Sequence, residues 1–172
     1  MEIRESSTSE LDRIRELHLD AFDAEENEEV SRLAVELAVD SATNLSLVAL
    51  DDGLIVGHVV FSPVSVSNHV ELSGFILAPL AVAPSRQKQG VGSKLIDSGL
   101  DTLATRDVDV AFVLGDPNYY GRSGFHTEHD VNPPYQLPYP EAWQARELRT
   151  GALEGISGTV QCVPASMCPA IW

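Results

Sequence analysis

The stretch from Glu71 to Gly115 constrains the fold more than any other part of the chain. Residues 71–82 are rich in apolar and β-branched side chains. A loop with Gly90 follows, and Val91, Leu95, Leu100 and Leu103 then fall on or near one face of a helix over 91–105. Residues 108–115, VDVAFVLG, read as a buried strand. Strand, loop, helix and strand in that order make a βαβ unit. Its two strands are parallel and its crossover right-handed, because a tight turn cannot join parallel neighbours. Pro79 interrupts the first strand and has no N–H to give a ladder, so a bulge or a local loss of pairing is expected there.

The flanks add antiparallel strands and two helices. Residues 2–5 are extended in character, and Ser7 with Glu10 three residues later reads as a capping box. Leu11, Ile14, Leu17 and Ala21 keep a helical period, as do Val30, Leu33, Ala34 and Leu37 after the acidic stretch 23–29, DAEENEE. From residue 45, LSLVAL, a turn at Asp51-Asp52-Gly53 and LIVGHVVFSPVSV predict a hairpin. Beyond Phe125 the chain is rich in Pro and Tyr to about residue 140, followed by a short helix-like piece and a last strand near 158–163. The expected fold is α/β (α+β): a mixed, mostly antiparallel, twisted sheet of six or seven strands with helices on both faces. The 172 residues are expected to form one domain, with a motif-bearing core of about residues 1–130 and a C-terminal segment 131–172 that completes the sheet.

Charge narrows the partners. Twenty-six acidic residues face 11 basic ones, a formal charge of -15, which repels phosphate backbones and anionic lipid. Neither nucleic acid nor membrane is expected as a partner. No apolar run approaches a membrane span, and MEIRESSTSELDR lacks the apolar centre of a secretory signal, so a cytoplasmic protein is expected. Cys162 and Cys168 are too few for a disulfide scaffold and are read as reduced and structural.

Chemistry concentrates between Leu80 and Lys94, LAVAPSRQKQGVGSK: a strand end, a loop with two glycines, and a helix start. Gly90 and Gly92 allow a tight turn and close ligand approach. The free amides of a first helical turn, at the positive end of the dipole, form an anion cradle. A Walker A loop is excluded because Lys94 has the wrong spacing, and a dinucleotide fingerprint is excluded because Leu95 stands where its third glycine belongs. What remains is Gln87-x-x-Gly90-x-Gly92 after a strand.

This motif, following APLAVAP, resembles the acetyl-CoA pyrophosphate loop of the GNAT superfamily of N-acetyltransferases. A second element, DPNYYGRSGF over 116–125, resembles that superfamily's short helix, in which a Tyr stands four residues before the Gly of a Gly-Phe pair; Tyr120 and Gly124 fit. The tail GALEGISGTVQCVP also resembles the end of a bacterial subgroup of predicted acetyltransferases. The resemblance implies acetyl-CoA as co-substrate and an amine as acceptor. Backbone groups of Leu80, Ala81 and Val82 would pair with the pantetheine arm. The amides of Gln87, Lys88, Gln89, Gly90, Val91, Gly92 and Ser93 would hold the pyrophosphate. Tyr120 would protonate the departing CoA thiolate, because a bare thiolate in a dry cleft is costly; the other reading of Tyr120 is a core aromatic with a satisfied hydroxyl. The family's Asn seven residues before the Tyr is Val113 here, with Asn118 as a substitute.

An alkyl amine with a pKa near ~10 must lose a proton before it attacks, which requires a base. Glu71, through a water, is the first candidate, with Asp116 and His58 behind it; a solvated strand-end carboxylate is the other reading of Glu71, and solvent is the other source of a base. His126 and His129 lack a third ligand at zinc spacing, so no metal is expected. Trp143 and Trp172 are read as packing residues. The acceptor is expected to be a small molecule or peptide amine, held by the first two helices and the Pro/Tyr-rich segment. The acidic stretch 23–29 is read either as complementing a helix dipole or as a lure for a cationic acceptor. Another acyl-CoA, or a non-catalytic CoA-binding or regulatory module, are the alternatives. A homodimer is a further expectation carried by the resemblance.

Overall fold

The computed structural model describes residues 1–162; Cys168 and Trp172, with the readings attached to them, lie outside the described residues. At the start of the chain β1 (Glu2–Glu5) is tied to the first helical turn, because Arg4 gives Glu10 two hydrogen bonds of 2.7 and 3.0 Å. The Glu10 carboxylate also accepts from the Ser7 N–H at 2.8 Å, so the capping box forms. Helix α1 (Leu11–Ala21) turns Ile14, Leu17 and His18 inward. Helix α2 (Asn27–Val39) begins inside the acidic stretch, which places Glu28 and Glu29 in its first turn, where the helix dipole favours negative charge.

Contacts cluster the chain into two units, one of residues 1–61 and 78–99, the other of residues 62–77 and the chain from 100 onward. In the first, β1 pairs antiparallel with β2 (Leu45–Asp51) and β2 antiparallel with β3 (Leu54–Val66), with a register shift between Ala49 and Leu50. Ile14, Ala34 and Ala38 of the two helices bury against Val48 of β2. Helix α3 (Val91–Thr105) seats on β3 through glycines on both elements. A Cβ at Gly57 would stand 2.8 Å from Leu95 and 2.9 Å from Val91, and one at Gly99 would stand 2.1 Å from the Phe61 ring. Glycine in mid-helix costs about 1 kcal/mol relative to alanine; the fully buried Phe61 ring, which occupies that space, is the reason it stands there.

This unit also buries a polar chain. His18 Nε2 lies 2.9 Å from His58 Nδ1, His58 Nε2 lies 2.9 Å from Ser46 Oγ, and Ser46 Oγ lies 2.6 Å from Ser6 Oγ. Both imidazoles are fully buried, and His18 Nδ1 has no hydrogen-bond partner among the described residues. A bare lone pair is cheaper to bury than an unpaired N–H, so both rings carry their proton on Nε2 and the chain donates from His18 toward Ser46.

In the second unit the part of β4 (His69–Val82) up to Leu77 pairs parallel with β5 (Val110–Leu114), and β5 antiparallel with β7 (Trp143–Glu147). The end of β3 pairs with β8 (Ser157–Cys162), and β8 with the three-residue β6 (Asp130–Asn132). Phe112 stacks on Trp143 with ring centroids 5.3 Å apart, and Trp143 Nε1 donates to the Val131 carbonyl at 2.8 Å, so Trp143 is a packing residue. The half-buried Cys162 carries a free thiol that burial pushes up to about 12.

The ladder order β1-β2-β3-β4-β5-β7 agrees with the expected mostly antiparallel sheet and its parallel β4/β5 pair. The described residues hold eight strands, beyond the six or seven expected. The short helix-like piece is the 3-10 helix of residues 140–142, and β7, which was not expected, follows at once. The β4/β5 ladder stops at Leu77–Val113, immediately before Ala78 and Pro79, where pairing was expected to fail. Among the described residues no helix is long and apolar enough to cross a membrane.

Acid stability follows from these burials. Burial holds His18 down to about 3; His58 is also held well below its ordinary value, by burial and then by His18, against a small opposing pull from Glu10. The hydrogen bonds from Arg4 hold Glu10 down to about 2. The unfolded chain binds more protons than the folded one below about pH 6.5 at the histidines, and below about 4.5 at Glu10, so both terms remove stability as pH falls. Thermal melts from pH 7.5 to 4 are expected to show a midpoint that drops progressively below about pH 6.5; a midpoint flat between pH 7 and 5 contradicts the neutral histidine pair.

Candidate active site

The strongest local feature is the turn from β4 into α3. Residues 84–90 are mostly exposed, and Lys88 and Gly90 adopt left-handed backbone at φ 59° and 81°. A left-handed residue is costly for any side chain with a Cβ, so Lys88 holds a strained position of the kind found at ligand sites. The first backbone amide with an acceptor after this turn is that of Lys94, which bonds to the Gly90 carbonyl at 3.1 Å. Among the described residues the amides from Gln87 through Ser93 have no acceptor. They form a row of donors at the positive end of a long helix, suited to a multiply charged anion.

Side chains brace this loop from below. Arg86 pairs with Asp51 at 2.6 Å, which fastens the loop to the β2–β3 turn. Gln87 donates to the Val82 carbonyl at 3.2 Å and Gln89 to the Ser85 carbonyl at 3.0 Å. Ala81 is buried and Leu80 and Val82 half-buried at the end of β4. Val91 is buried at the start of α3, while Lys88 is exposed.

The second feature is the segment after β5. Asp116 caps the one-turn helix α4 (Pro117–Tyr120): its Oδ1 accepts from the Asn118 N–H at 2.9 Å and from Asn118 Nδ2 at 3.1 Å. Asn118 is therefore committed to this cap. Tyr120 packs edge-on against Phe125 at 6.0 Å and against Tyr119 at 5.0 Å. Burial, and then Tyr119, push the Tyr120 phenol well above its ordinary value. Its hydroxyl has no hydrogen-bond partner among the described residues, which argues against a core tyrosine with a satisfied hydroxyl. Gly124 closes the turn at φ 79°, beneath the Arg146 guanidinium, which donates to the Ser123 carbonyl.

Other residues named from the sequence are placed differently. Glu71 stands near the start of β4 with its side chain 70% exposed, 3.4 Å from His69. His58 has both nitrogens engaged in the buried chain and is a sheet histidine. His126 is exposed, and His129 lies edge-on to Phe112 and Trp143. Glu28 pairs with Arg15 at 2.8 Å, and a shallow groove is lined by Arg15, Glu28, Glu29, Arg32 and Val35, so arginines offset part of the acidic stretch. Gly115 and Gln144, which contact the Tyr120 segment, carry no sequence signal of their own: a glycine before Asp-Pro reads as turn punctuation, and a lone Gln on a short strand reads as surface.

Comparison with known proteins bears on both features. Residues 2–127 match the family described as acetyltransferase (GNAT) domain. The uncharacterized N-acetyltransferase YhbS of Escherichia coli strain K12 is 36% identical over 140 residues, 79% of this chain and 82% of that protein. YjhQ of the same strain, also an uncharacterized N-acetyltransferase, is 34% identical over 161 residues, 90% of this chain and 87% of that one. The crystal structure of Escherichia coli YhbS in complex with CoA superposes with a TM-score of 0.87 at 32% identity, covering 96% of this chain and 91% of that one. A GNAT family acetyltransferase from Brucella melitensis in complex with acetyl-CoA gives 0.77 at 30% identity, with coverages of 96% and 97%.

At Gly90 conformation and space separate cleanly, because nothing lies within 4 Å of a Cβ built there. Gly90→Ala is expected to cost about 1 kcal/mol in urea unfolding, and Gly90→Asn distinctly less, since Asn tolerates left-handed backbone. Equal losses in the two variants contradict a purely conformational requirement.

Proposed function

Because the chain belongs to the GNAT acetyltransferase family and is thereby an acetyl-CoA-dependent acyltransferase, we propose that it moves the acetyl group of acetyl-CoA to a primary amine of a small molecule or peptide by direct attack. The observation that carries this reading is the row of unbonded amides from Gln87 through Ser93 at the start of α3. Such a donor set fits a pyrophosphate, with Lys88 adding a positive charge beside it. CoA and acetyl-CoA in the complexes of YhbS and the Brucella protein support the same assignment. Leu80, Ala81 and Val82 offer backbone groups to the pantetheine arm. The Val82 carbonyl takes one hydrogen bond from Gln87 and has a second lone pair for a ligand amide.

Acetyl-CoA supplies an activated acetyl group. The neutral amine nitrogen bonds to the thioester carbonyl carbon, the C–S bond breaks, the sulfur leaves with the bonding pair, and the nitrogen releases its extra proton to solvent to give the neutral amide. Tyr120 gives its phenolic proton to that sulfur and is reprotonated from solvent. Burial keeps the phenol protonated through neutral pH, so the proton is in place when the thiolate forms. Asn118 serves the site through the Asp116 cap. Glu71 is the carboxylate proposed from the sequence to take the ammonium proton through a water; its exposure supports the solvated reading, in which the proton passes to bulk water.

Tyr120→Phe is expected to lower kcat by about 10²- to 10⁴-fold, with CoA affinity by isothermal titration within about twofold of the parent. Unchanged thiol release removes Tyr120 from the chemistry, and absence of CoA binding by the parent protein removes the whole reading. Glu71→Gln is expected to leave kcat/KM within about threefold, whereas a loss matching that of Tyr120→Phe makes Glu71 the base.

A cationic acceptor is proposed on the exposed Glu25 and Glu26, which precede the arginine-paired part of the acidic stretch. Replacing both with Lys is expected to raise KM for a polyamine by about tenfold while leaving kcat in place, an effect that shrinks with added salt. A KM that does not move assigns the stretch to the helix dipole alone.

A further inference from the structure

We propose that Gly115 and Gln144 form the seat that orients the Tyr120 phenol, and that both are positioning residues for acetyl transfer; this rests on Tyr120 being the proton donor. The Tyr120 ring lies directly on the bare Cα of Gly115. A Cβ built there would stand 2.3 Å from Tyr120 Cε2, 2.9 Å from Cδ2 and 3.4 Å from Cζ. Unlike Gly90 and Gly124, Gly115 is not in the left-handed region, so the contact, not the backbone conformation, excludes a side chain.

The glycine is itself immobilised. Its N–H donates to the Ala142 carbonyl at 2.9 Å, and its carbonyl accepts from Gln144 Nε2 at 3.0 Å. Gln144 is 1% exposed on β7, between the buried Trp143 and Ala145, and its Nε2 also reaches the Ala142 carbonyl at 3.4 Å. A buried carboxamide is costly unless it is bonded. Here its donors go to the carbonyl at the exit of β5 and to the segment that this exit leans on. The ring is thus held against Gly115 and perpendicular to the rings of Tyr119 and Phe125, and its hydroxyl has no hydrogen-bond partner among the described residues. A displacement of about 1 Å at a reacting group costs about 10²-fold in rate, so the seat sets turnover without touching substrate.

The test compares Gly115→Ala, Gln144→Leu, Tyr120→Phe and the double variant Gly115→Ala/Tyr120→Phe in the full-length protein. The readouts are CoA affinity, thiol release from acetyl-CoA with a panel of amines, and the 13Cζ tyrosine resonance of Tyr120. Gly115→Ala is expected to keep CoA affinity, to lower kcat by about 10²-fold without raising KM for acetyl-CoA, and to shift the Tyr120 resonance. The double variant is expected to be no slower than Tyr120→Phe, since a seat has nothing to orient once the hydroxyl is gone. Urea unfolding of each variant separates lost stability from lost orientation.

If Tyr120→Phe turns over normally, the assignment of Tyr120 fails and the seat with it. If Tyr120→Phe is slow but Gly115→Ala is fast, or if the losses multiply in the double variant, the seat alone is overturned. Should Gly115→Ala not fold, Gln144→Leu removes a tether without crowding the ring; an unmoved Tyr120 resonance in that variant overturns the proposal independently of any acceptor.

Discussion

The parallel ladder between β4 and β5 runs over only four residue pairs and ends at Leu77–Val113, and much of the chemistry follows from that limit. Pro79, two residues on, has no N–H to continue the ladder, so the last residues of β4 are not committed to β5. Parallel strands require a crossover, and α3 supplies it. Since α3 is anchored by its packing on Gly57 and against Phe61, the chain has only residues 83–90 in which to turn from β4 into the helix. A turn that short, with left-handed residues at 88 and 90, leaves its amides from Gln87 on without acceptors instead of placing them in a ladder. The donor row on which the proposed anion site rests is therefore a consequence of how β4 ends and where α3 must begin.

The same limit acts at the other strand. Beyond Val113, β5 continues to pair with β7, and Gly115 is held there by Ala142 and Gln144. Asp116 then caps α4 directly, with no intervening loop to absorb error. Tyr120 is consequently fixed by a strand end, a buried carboxamide and a one-turn helix, each held by hydrogen bonds of ordinary length. A side chain placed this way keeps its direction because the backbone beneath it cannot relax.

Much of the fold was legible because periodicity reports burial. The β-branched runs in 45–66, the helical repeats at Leu11, Ile14 and Leu17, and the glycine loop before Val91 each marked an element within a residue or two of its observed bounds. β7 was not legible: WQARE buries Trp143, Gln144 and Ala145 in succession, so no period of two survives. The three residues of β6 are too few to show any period. At the site, the loop and Tyr120 were visible as spacing in one dimension. The roles of Gly115 and Gln144 were not, because both depend on contacts between segments nearly 30 residues apart, which spacing does not encode. His18 escaped for the same reason: a histidine on an amphipathic helix gives no sign that it will meet His58 across the core.

Burial acts on two sets of protons with opposite signs, and the chain uses both. Desolvation favours the neutral form of any group, so it strips protons from imidazole and retains them on phenol. At His18 and His58 the neutral form leaves an unpaired lone pair in the core and makes the fold sensitive to acid. At Tyr120 the neutral form is the one able to donate, and burial extends its range upward in pH. The two effects fall at opposite ends of the pH scale and in different units of the chain, so the acid-sensitive element is not the tyrosine proposed as proton donor. As pH falls the buried imidazoles cost the fold stability, whereas on the alkaline side, already neutral, they contribute no further change. The pH dependence of stability and that of turnover thus report on separate groups, and measuring one does not predict the other.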